Sequence, residues 1–322
     1  MRRIKKCTVF LLLLCLLLNL AGCAAAQKPL RVTLVLKTVT EVAEFWGTLL
    51  SGVEKAAEEY GVELKVLTSP REIDIDKQIE LIRQVTADKP DVMILSAADY
   101  DRCAEATEEA IAAGIGVVAI DTDVNAAGRA CFVGSNSYEI GLEMGRAMAS
   151  YLPEGGKVAV IQHMLTTTTG IERTRGVLDA LNEAGNIEIL GSFCCDNSTE
   201  QAQTITTELL SADPEIRGFV CTNEVCNVGA ANALVELGMG GRVYVVGCDN
   251  SQRQIALLEQ NIIQAIVIQR PFNMGYMAVQ QAVRVAQGET PEDFVEVACV
   301  LITRENMYTQ ENQKLLFPVM EQ

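Results

Sequence analysis

The stretch GFVCTNEVCNVGAANALVELGMGGRVYVVGCDN, residues 218–250, decides the fold of this chain. Its apolar runs at 218–221 and 243–246 predict two buried strands, and the helical spacing of apolar residues at 228–237, which ends at a glycine, predicts a helix between them. Almost wholly apolar strands that alternate with helices are typical of a parallel sheet covered on both faces. The stretch therefore predicts one strand–helix–strand unit of an α/β sheet.

The same alternation continues on both sides of this unit. Further strands are predicted at 31–36, 62–67, 92–95, 117–120, 157–162, 187–190 and 263–268, and further helices at 45–60, 77–87, 104–113, 171–184, 200–210, 255–260 and 274–287. These strands are more than a single sheet usually contains, and no low-complexity linker interrupts them. The sequence therefore predicts an α/β protein of two doubly wound parallel-sheet lobes.

The composition limits the kinds of partner. The chain has 322 residues, of which 49% are hydrophobic and 21% charged, so it can bury a large core. It carries 42 acidic and 26 basic side chains, a net charge of −16, and so acidic a body is repelled by nucleic acid. His163 is the only histidine, which excludes a metal site built from several histidines. We therefore expect no nucleic acid partner, no metal and no cofactor.

The motifs favour binding over catalysis. The chain has no nucleophile elbow, P-loop or metal-ligand constellation, so no catalytic residue is assigned. A hydrolase that uses Asp121 and Asp249 as an acid and base pair is the enzymatic alternative. A DNA-binding repressor is disfavoured because no helix-turn-helix precedes the predicted lobes. We therefore expect a protein that is not an enzyme.

The N-terminus predicts export and anchoring. A basic start and an apolar run at 8–18 precede the sequence LAGC at 20–23. The run is too short to cross the ~30 Å hydrocarbon core of a membrane, which takes about 20 helical residues. LAGC resembles the lipobox of bacterial lipoproteins, which implies removal of residues 1–22, lipidation of Cys23 and a lipidated tether at 23–29. The expected location is the extracytoplasmic face of the cell membrane. The alternative is an ordinary secretory signal that is cut nearby.

Eight cysteines follow the predicted anchor. They are Cys103, Cys131, Cys194, Cys195, Cys221, Cys226, Cys248 and Cys299. Exported proteins can form disulfides, but a chain with this much core does not need them. Several of the eight lie within or at the ends of apolar runs, where cysteine behaves as a small buried hydrophobe. We interpret them as core residues, and the sequence leaves their disulfide state open.

Side chains suited to ligand binding follow the predicted strands in both halves of the chain. They are Phe45, Trp46, Asp121, Arg173, Asn223, Asp249 and Gln269. In open α/β sheets, ligands bind outside the carboxyl ends of the strands. If two sheets point these edges at a shared cleft, the seven side chains face one another. The sequence therefore predicts a binding cleft between the lobes.

Seven segments, in this order and spacing, resemble the ribose-binding branch of the type I periplasmic binding proteins, whose fold is shared by the effector domain of the lactose repressor. The segments are EFWGTLLSGVEKAAEEYG (44–61), GIGVVAIDTDV (114–124), FVGSNSYEIG (132–141), TGIERTRGVLDAL (169–181), FVCTNEVCNVGAANAL (219–234), VYVVGCDN (243–250) and IVIQRPFNMGY (266–276). The resemblance covers residues 30–305. It implies that three hinge strands, near 132–134, 269–271 and 299–301, join the lobes. The implied N-terminal lobe comprises 30–132 and 270–298, and the C-terminal lobe 133–269 and 299–322.

Carried over position by position, the resemblance implies ligand contacts at the same seven residues. It implies a monomeric solute-binding lipoprotein that captures a sugar or polyol for the transmembrane permease subunits of an ABC importer. The alternative is a sensing subunit with the same pocket that docks on a histidine kinase or chemoreceptor. Two departures disfavour ribose itself, since the ribose binders have arginine where this chain has Thr122 and an aromatic residue near Asn197.

The chemistry of the seven residues suits a hydroxylated ligand. Carboxylates accept hydrogen bonds from hydroxyl groups, an arginine offers a planar fork of donors, and amides both donate and accept. Phe45 and Trp46 can stack on the apolar face of a sugar ring.

Each residue also has a purely structural alternative. One of the two aromatic residues could belong to the core, and Asp121 or Asp249 could cap a helix. Arg173 could pair on the surface with Glu172 or Asp179. His163 is interpreted as a hydrogen-bonded core residue, and the threonines at 166–169 as a loop and a helix cap.

Overall fold

The strands of the chain form two six-stranded sheets in the computed structural model, which describes residues 28–38 and 44–317. The strands are β1 (Arg31–Leu36), β2 (Glu63–Thr68), β3 (Val92–Leu95), β4 (Gly116–Ile120), β5 (Cys131–Gly134), β6 (Gly156–Gln162), β7 (Ile187–Cys194), β8 (Ile216–Cys221), β9 (Tyr244–Cys248), β10 (Ala265–Ile268), β11 (Phe294–Glu296) and β12 (Val300–Thr303). The helices are α1 (Glu44–Tyr60), α2 (Ile75–Asp88), α3 (Ala104–Ala112), α4 (Ser137–Tyr151), α5 (Thr168–Ala184), α6 (Thr199–Ala212), α7 (Glu224–Glu236), α8 (Gln252–Glu259), α9 (Pro271–Ala286) and α10 (Gln310–Leu316). The predicted leader and the predicted lipidation site at Cys23 lie outside the described residues. None of these helices combines the length and the apolar character needed to cross a membrane.

The two sheets have the same strand order. The first is β11-β5-β4-β3-β1-β2, with all neighbours parallel, and the second is β12-β10-β9-β8-β6-β7, in which β12 alone is antiparallel. Each sheet with its helices forms one lobe, which we name the first and the second lobe. Central strands such as β3 and β10 bury every residue, which explains their unbroken apolar sequence. The predicted fold of two doubly wound α/β lobes is confirmed.

The chain crosses between the lobes three times, at residues 135–136, 269–270 and 297–299. The predicted lobe boundary at 132 was placed two residues too early, because all of β5 belongs to the first sheet. Phe132 pairs with Phe294 and Gly134 with Glu296 in its ladder with β11, and the two phenylalanine rings stack 5.3 Å apart. After the second crossing, helix α9 packs on α1 in the first lobe. After the third crossing, Met307 and Leu316 belong to the core of the second lobe.

Helices α4 and α5 of the second lobe pack unusually closely. A Cβ on Gly141 would lie 2.2 Å from the carbonyl oxygen of Arg173, and one on Gly176 would lie 2.2 Å from that of Tyr138. Only glycine allows backbones to approach this far. This contact fixes the position of α5 against α4. Arg173 lies on α5, near the carboxyl edge of the sheet.

The eight cysteines that follow residue 100 are unpaired thiols in the structure. Six are buried, and Cys194 and Cys299 are half-buried. Burial raises the pKa of the Cys221 and Cys248 thiols well above its ordinary value, so they remain protonated. The interpretation as small buried hydrophobes is confirmed for the six.

Candidate functional site

All seven side chains predicted to bind ligand line one cavity between the lobes, where the carboxyl ends of both sheets meet. The space between the lining atoms, counted with the part that is open to solvent, is about 430 Å³. It is also lined by Lys37, Glu72, His163, Thr169, Asn197, Glu224 and Val225. The structure therefore brings the predicted residues together, and their contact with a ligand stays a prediction.

Asp121 and Asp249 occupy equivalent positions at the ends of β4 and β9. Both have left-handed backbone, with φ of +62° and +66°, and both are almost fully buried. Their N–H groups donate to equivalent carbonyls, Asp121 to Val133 (3.0 Å) and Asp249 to Val267 (2.8 Å). The alternative that they cap helices is wrong. The next helix after Asp121 is α4, which Asn136 caps, and α8 is capped by Ser251 and not by Asp249. Each lobe thus turns one carboxylate into the shared cavity.

Arg173 lies on α5 and is 2% exposed. Its Nη1 donates to the carbonyl of Thr222 (2.8 Å) and lies 3.6 Å from Oδ2 of Asp249, while its Nε is buried without a partner in the described residues. Burial lowers its pKa, but the neighbouring acids outweigh burial and raise it, so the guanidinium stays charged. The surface-pair alternative is wrong for Arg173, since Glu172 pairs instead with Arg175.

The first lobe contributes a buried ionic cluster that the sequence analysis missed. Nζ of Lys37 lies 2.8 Å from Oε1 of Glu72, 3.4 Å from Oδ2 of Asp121 and 5.6 Å from the ring centre of Trp46. Burial lowers the pKa of Lys37, but the two carboxylates more than compensate and raise it. Lys37 follows β1 and Glu72 follows β2, so the rule that found the other residues applies to both.

The aromatic pair closes one side of the cavity. The rings of Phe45 and Trp46 meet edge to face, with centres 5.1 Å apart and planes at 86°. Trp46 is 5% exposed and belongs to the core of the first lobe, whereas Phe45 is half-buried. The alternative of a core role therefore holds for Trp46, which both packs in the core and lines the cavity.

The amide side chains are held in place by hydrogen bonds. Asn223 accepts from the N–H of Cys226 (3.0 Å) and donates to Oδ1 of Asn197 (2.8 Å). Nε2 of Gln269 donates to Oδ1 of Asp249 (2.7 Å). Groups positioned in this way lose little conformational freedom when a ligand binds.

His163 and its threonine neighbours are hydrogen-bonded as expected. Its Nδ1 lies 2.8 Å from Oγ1 of Thr222 and its Nε2 lies 3.3 Å from Oγ1 of Thr169. Burial, with Lys37 and Arg173 nearby, lowers the pKa of His163 well below its ordinary value, so the ring is neutral. Thr167 caps α5 by accepting from the N–H of Gly170, as interpreted from the sequence. His163 and Thr169 nonetheless line the cavity, which the sequence analysis did not predict.

Thr122 is not among the residues that line the cavity. It is fully buried in the first lobe, where its hydroxyl donates to the carbonyl of Ala97 (2.7 Å) and lies 3.1 Å from that of Ser96. Thr122, which stands where the ribose binders have arginine, therefore lies next to the cavity-lining Asp121 in the chain and does not itself line the cavity. Asn197, at the other departure, lines the cavity itself.

The lobes touch on several sides of the cavity. Nδ2 of Asn197 donates to Oε2 of Glu72 (2.9 Å), and the N–H of Gln252 donates to Oε1 of Glu44 (3.2 Å). Near the crossings, the N–H of Asp123 donates to the hydroxyl of Thr168 (3.0 Å). The structure is therefore a closed arrangement of the two lobes.

A family model described as a periplasmic binding protein domain matches residues 33–290. The chain belongs to the periplasmic binding protein family. One relative, the D-ribose/D-allose-binding protein of Pseudomonas aeruginosa, is 26% identical over 274 residues, which cover 83% of this chain and 85% of the relative. The resemblance stated from the sequence is confirmed.

Solved structures show the same fold. A sugar transporter from Clostridium phytofermentans has a TM-score of 0.79 at 29% identity, covering 84% of this chain and 98% of that one. A carbohydrate transporter solute-binding protein from Agrobacterium radiobacter, in complex with D-arabinose, has a TM-score of 0.86 at 23% identity, covering 90% and 100%. These relatives are proteins of sugar binding and transport, which supports the prediction that this periplasmic binding protein is not an enzyme.

The cavity of this periplasmic binding protein is rich in charge but nearly balanced. Lys37 and Arg173 face the carboxylates of Glu72, Asp121 and Asp249, and each cation lies within 4 Å of at least one of them. Within residues 28–38 and 44–317, no cluster of His, Cys, Asp or Glu side chains is arranged to hold a metal ion. Such a cavity can form charge-assisted hydrogen bonds to hydroxyl groups without requiring a charged ligand.

Proposed function

We propose that this periplasmic binding protein is the extracytoplasmic solute-binding component of an ABC importer, which captures a sugar or sugar-like polyol and delivers it to the permease. The observation that supports it most is the cavity between the lobes. Both lobes line it with carboxylates and a cation, the first lobe adds aromatic rings, and the second adds amides. The ribose and allose binding named for relatives points to the same class of ligand.

The site chemistry accounts for recognition of several hydroxyl groups at once. Asp121 and Asp249 approach the ligand from opposite lobes and accept hydrogen bonds from its hydroxyls. Arg173 donates to ligand oxygens through its Nε, which has no partner within residues 28–38 and 44–317, and Gln269 supplies an amide near the same carboxylate, Asp249. Phe45 packs against the apolar C–H face of the sugar ring and so removes this face from water.

Closure follows from these contacts. A ligand that touches Asp121 in the first lobe and Asp249 in the second makes both sets of contacts only when the lobes are together. It therefore binds the closed state more tightly and shifts the population toward it. The segments at 135–136, 269–270 and 297–299 absorb the change, since they alone join the sheets among the described residues.

We further propose that the protein acts as a monomer that is lipid-anchored at Cys23 on the extracytoplasmic face of the cell membrane. The support for the anchor is the sequence LAGC at 20–23 after a basic start and a short apolar run. The six residues 24–29 that follow Cys23 reach at most about 20 Å when extended, which keeps the lobes close to a permease in the same membrane.

Binding is tested by a thermal-shift screen of the purified protein against monosaccharides, polyols, nucleosides and amino acids. We expect at least one monosaccharide or polyol to raise the melting temperature, because a ligand at 100 times its Kd stabilises the folded state by about 2.7 kcal/mol. Calorimetric titration of each hit measures its Kd. A screen in which only amino acids or nucleosides shift the transition would contradict the proposal.

A further inference from the structure

We propose that Glu224 is a specificity-determining ligand contact of this cavity, and that it binds the ligand as the neutral carboxylic acid by donating its proton to a ligand oxygen. The inference rests on the proposed function, because it concerns the same cavity and a ligand rich in oxygen atoms. It adds a hydrogen-bond donor to a site whose other carboxyl groups only accept.

The position of Glu224 is unusual for a glutamate at the start of a helix. It is the first residue of α7, it lines the cavity, and it is 4% exposed. A glutamate in the first turn of a helix is ordinarily solvated, where it interacts favourably with the helix dipole. Here Oε2 is buried and has no hydrogen-bond partner among the described residues. An unsatisfied buried oxygen is unfavourable, so a cavity that retains one is suited to a ligand that satisfies it.

The surroundings of Glu224 disfavour a negative charge. The carboxylates of Asp249, at the end of β9, and Glu44, at the start of α1, both act on it, while the hydroxyl of Ser251 opposes their effect. Of the two cations in the cavity, Arg173 is engaged with Thr222 and Asp249, and Lys37 lies between Glu72 and Asp121. No described cation of the cavity is therefore left to pair with Glu224.

Burial is the main reason that Glu224 keeps its proton. Burial, together with the nearby carboxylates of Asp249 and Glu44 and against the effect of the Ser251 hydroxyl, raises the pKa of Glu224 to about 8. At neutral pH the side chain is then an uncharged acid with one O–H donor. Such a donor suits a ligand oxygen that carries no hydrogen, such as a ring oxygen or a carbonyl, which a carboxylate would repel.

The test compares wild type with Glu224→Gln and Glu224→Leu from pH 6 to 9, using the monosaccharide that binds best in the screen. Glutamine keeps the shape and the donor but does not titrate. We expect wild-type affinity to be constant up to about pH 7 and to fall toward tenfold per pH unit above about pH 8. Glu224→Gln should bind within about threefold of wild type at pH 7 and show no alkaline loss, while Glu224→Leu should bind at least tenfold more weakly throughout.

The matched control is Glu236→Gln, which makes the same change at an exposed position near the other end of α7. It should leave both affinity and pH profile as in wild type. His163 does not contribute to the profile, because its pKa lies well below this range.

A second measurement needs no ligand. The pKa of Glu224 is higher in the folded protein than the ordinary value of 4.5, so this carboxyl group binds more protons in the folded state than in the unfolded state. The stability that it contributes to the folded protein therefore falls as the pH rises from 5 to 8. The melting temperature of Glu224→Gln relative to wild type should therefore increase over this interval. An unchanged difference between the two proteins would overturn the inference.

The outcomes separate this inference from the proposed function. If a monosaccharide binds but Glu224→Gln loses as much affinity as Glu224→Leu, the carboxylate form is the binding form and the inference is wrong. Equal affinity in all three proteins would also overturn it, as a structural role predicts no effect on binding. If no sugar or polyol binds wild type, the proposed function fails and the inference fails with it.

Discussion

Replacing Arg173 by methionine is expected to weaken ligand binding at least 100-fold. The guanidinium is buried, lies 3.6 Å from Asp249 and has an unpartnered Nε in the described residues, so a ligand in the cavity gains charge-assisted hydrogen bonds from it. Each such bond contributes about 1.5–3 kcal/mol, and two of them account for the loss. Methionine fills much of the same volume and provides no donor. Calorimetric titration with the best monosaccharide of the screen measures the effect.

Arg175→Met is the matched control for this prediction. Arg175 lies two residues further along α5, pairs with Glu172 on the surface and rests on the ring of Tyr138 at 4.4 Å. Its replacement should change the Kd by less than about twofold. Circular dichroism should show both variants folded, because Asp249 keeps its hydrogen bond from Gln269 when Arg173 is absent. A loss of less than tenfold in Arg173→Met would refute the assignment of this side chain.

Asp249→Asn is expected to reduce affinity by a comparable factor. The carboxylate accepts from Gln269 and lies near Arg173, and the ligand hydroxyls would bind to its remaining lone pairs. Asparagine tolerates the left-handed backbone at φ +66°, whereas alanine would add strain that has nothing to do with binding. The substitution therefore removes the charge and one acceptor with little change in the backbone. The same titration measures the Kd.

Asp196→Asn makes the same change at a comparable backbone position. Asp196 also has left-handed backbone, at φ +47°, but it is exposed and is not among the residues that line the cavity. We expect it to bind as wild type does. If both aspartate variants lose affinity equally, the effect arises from the fold, and the role given to Asp249 is wrong.

Much of the architecture could be predicted because it depends on local sequence. The strand predicted at 92–95 is observed with the same bounds, since four consecutive apolar residues follow a proline turn and lie in the centre of a sheet. The helices predicted at 45–60 and 104–113 differ from the observed ones by one residue at an end. Alternating strands and helices then leave few arrangements besides a doubly wound lobe.

Helix α4 was not predicted, and its sequence explains why. Gly141 and Gly145 interrupt its apolar spacing and lower its helix propensity. Both glycines are needed for the close approach of α4 to α5, in which each contacts residues more than thirty positions further along the chain. Strand β11 was missed, and β5 and β12 were indicated only by the hinge strands that the resemblance implies near 132–134 and 299–301, because a strand of three or four residues is stabilised by its neighbours in the sheet.

The rule of positions after strands was applied to only part of the site. The seven residues were found by that rule together with the family resemblance, but Lys37 and Glu72 were missed. Their pairing depends on β1 and β2 lying side by side, which sequence spacing does not reveal. Glu224 was not assigned, since a glutamate at the start of a helix is ordinarily a solvated residue.

The crystal structure of the protein with its best-binding monosaccharide tests the central claim most directly. We expect one sugar ring between the lobes, with hydroxyl oxygens within hydrogen-bond distance of both Asp121 and Asp249 and an oxygen beside Arg173. A sugar bound on the outside of either lobe, or held by one lobe while the other carboxylate faces solvent, would contradict it.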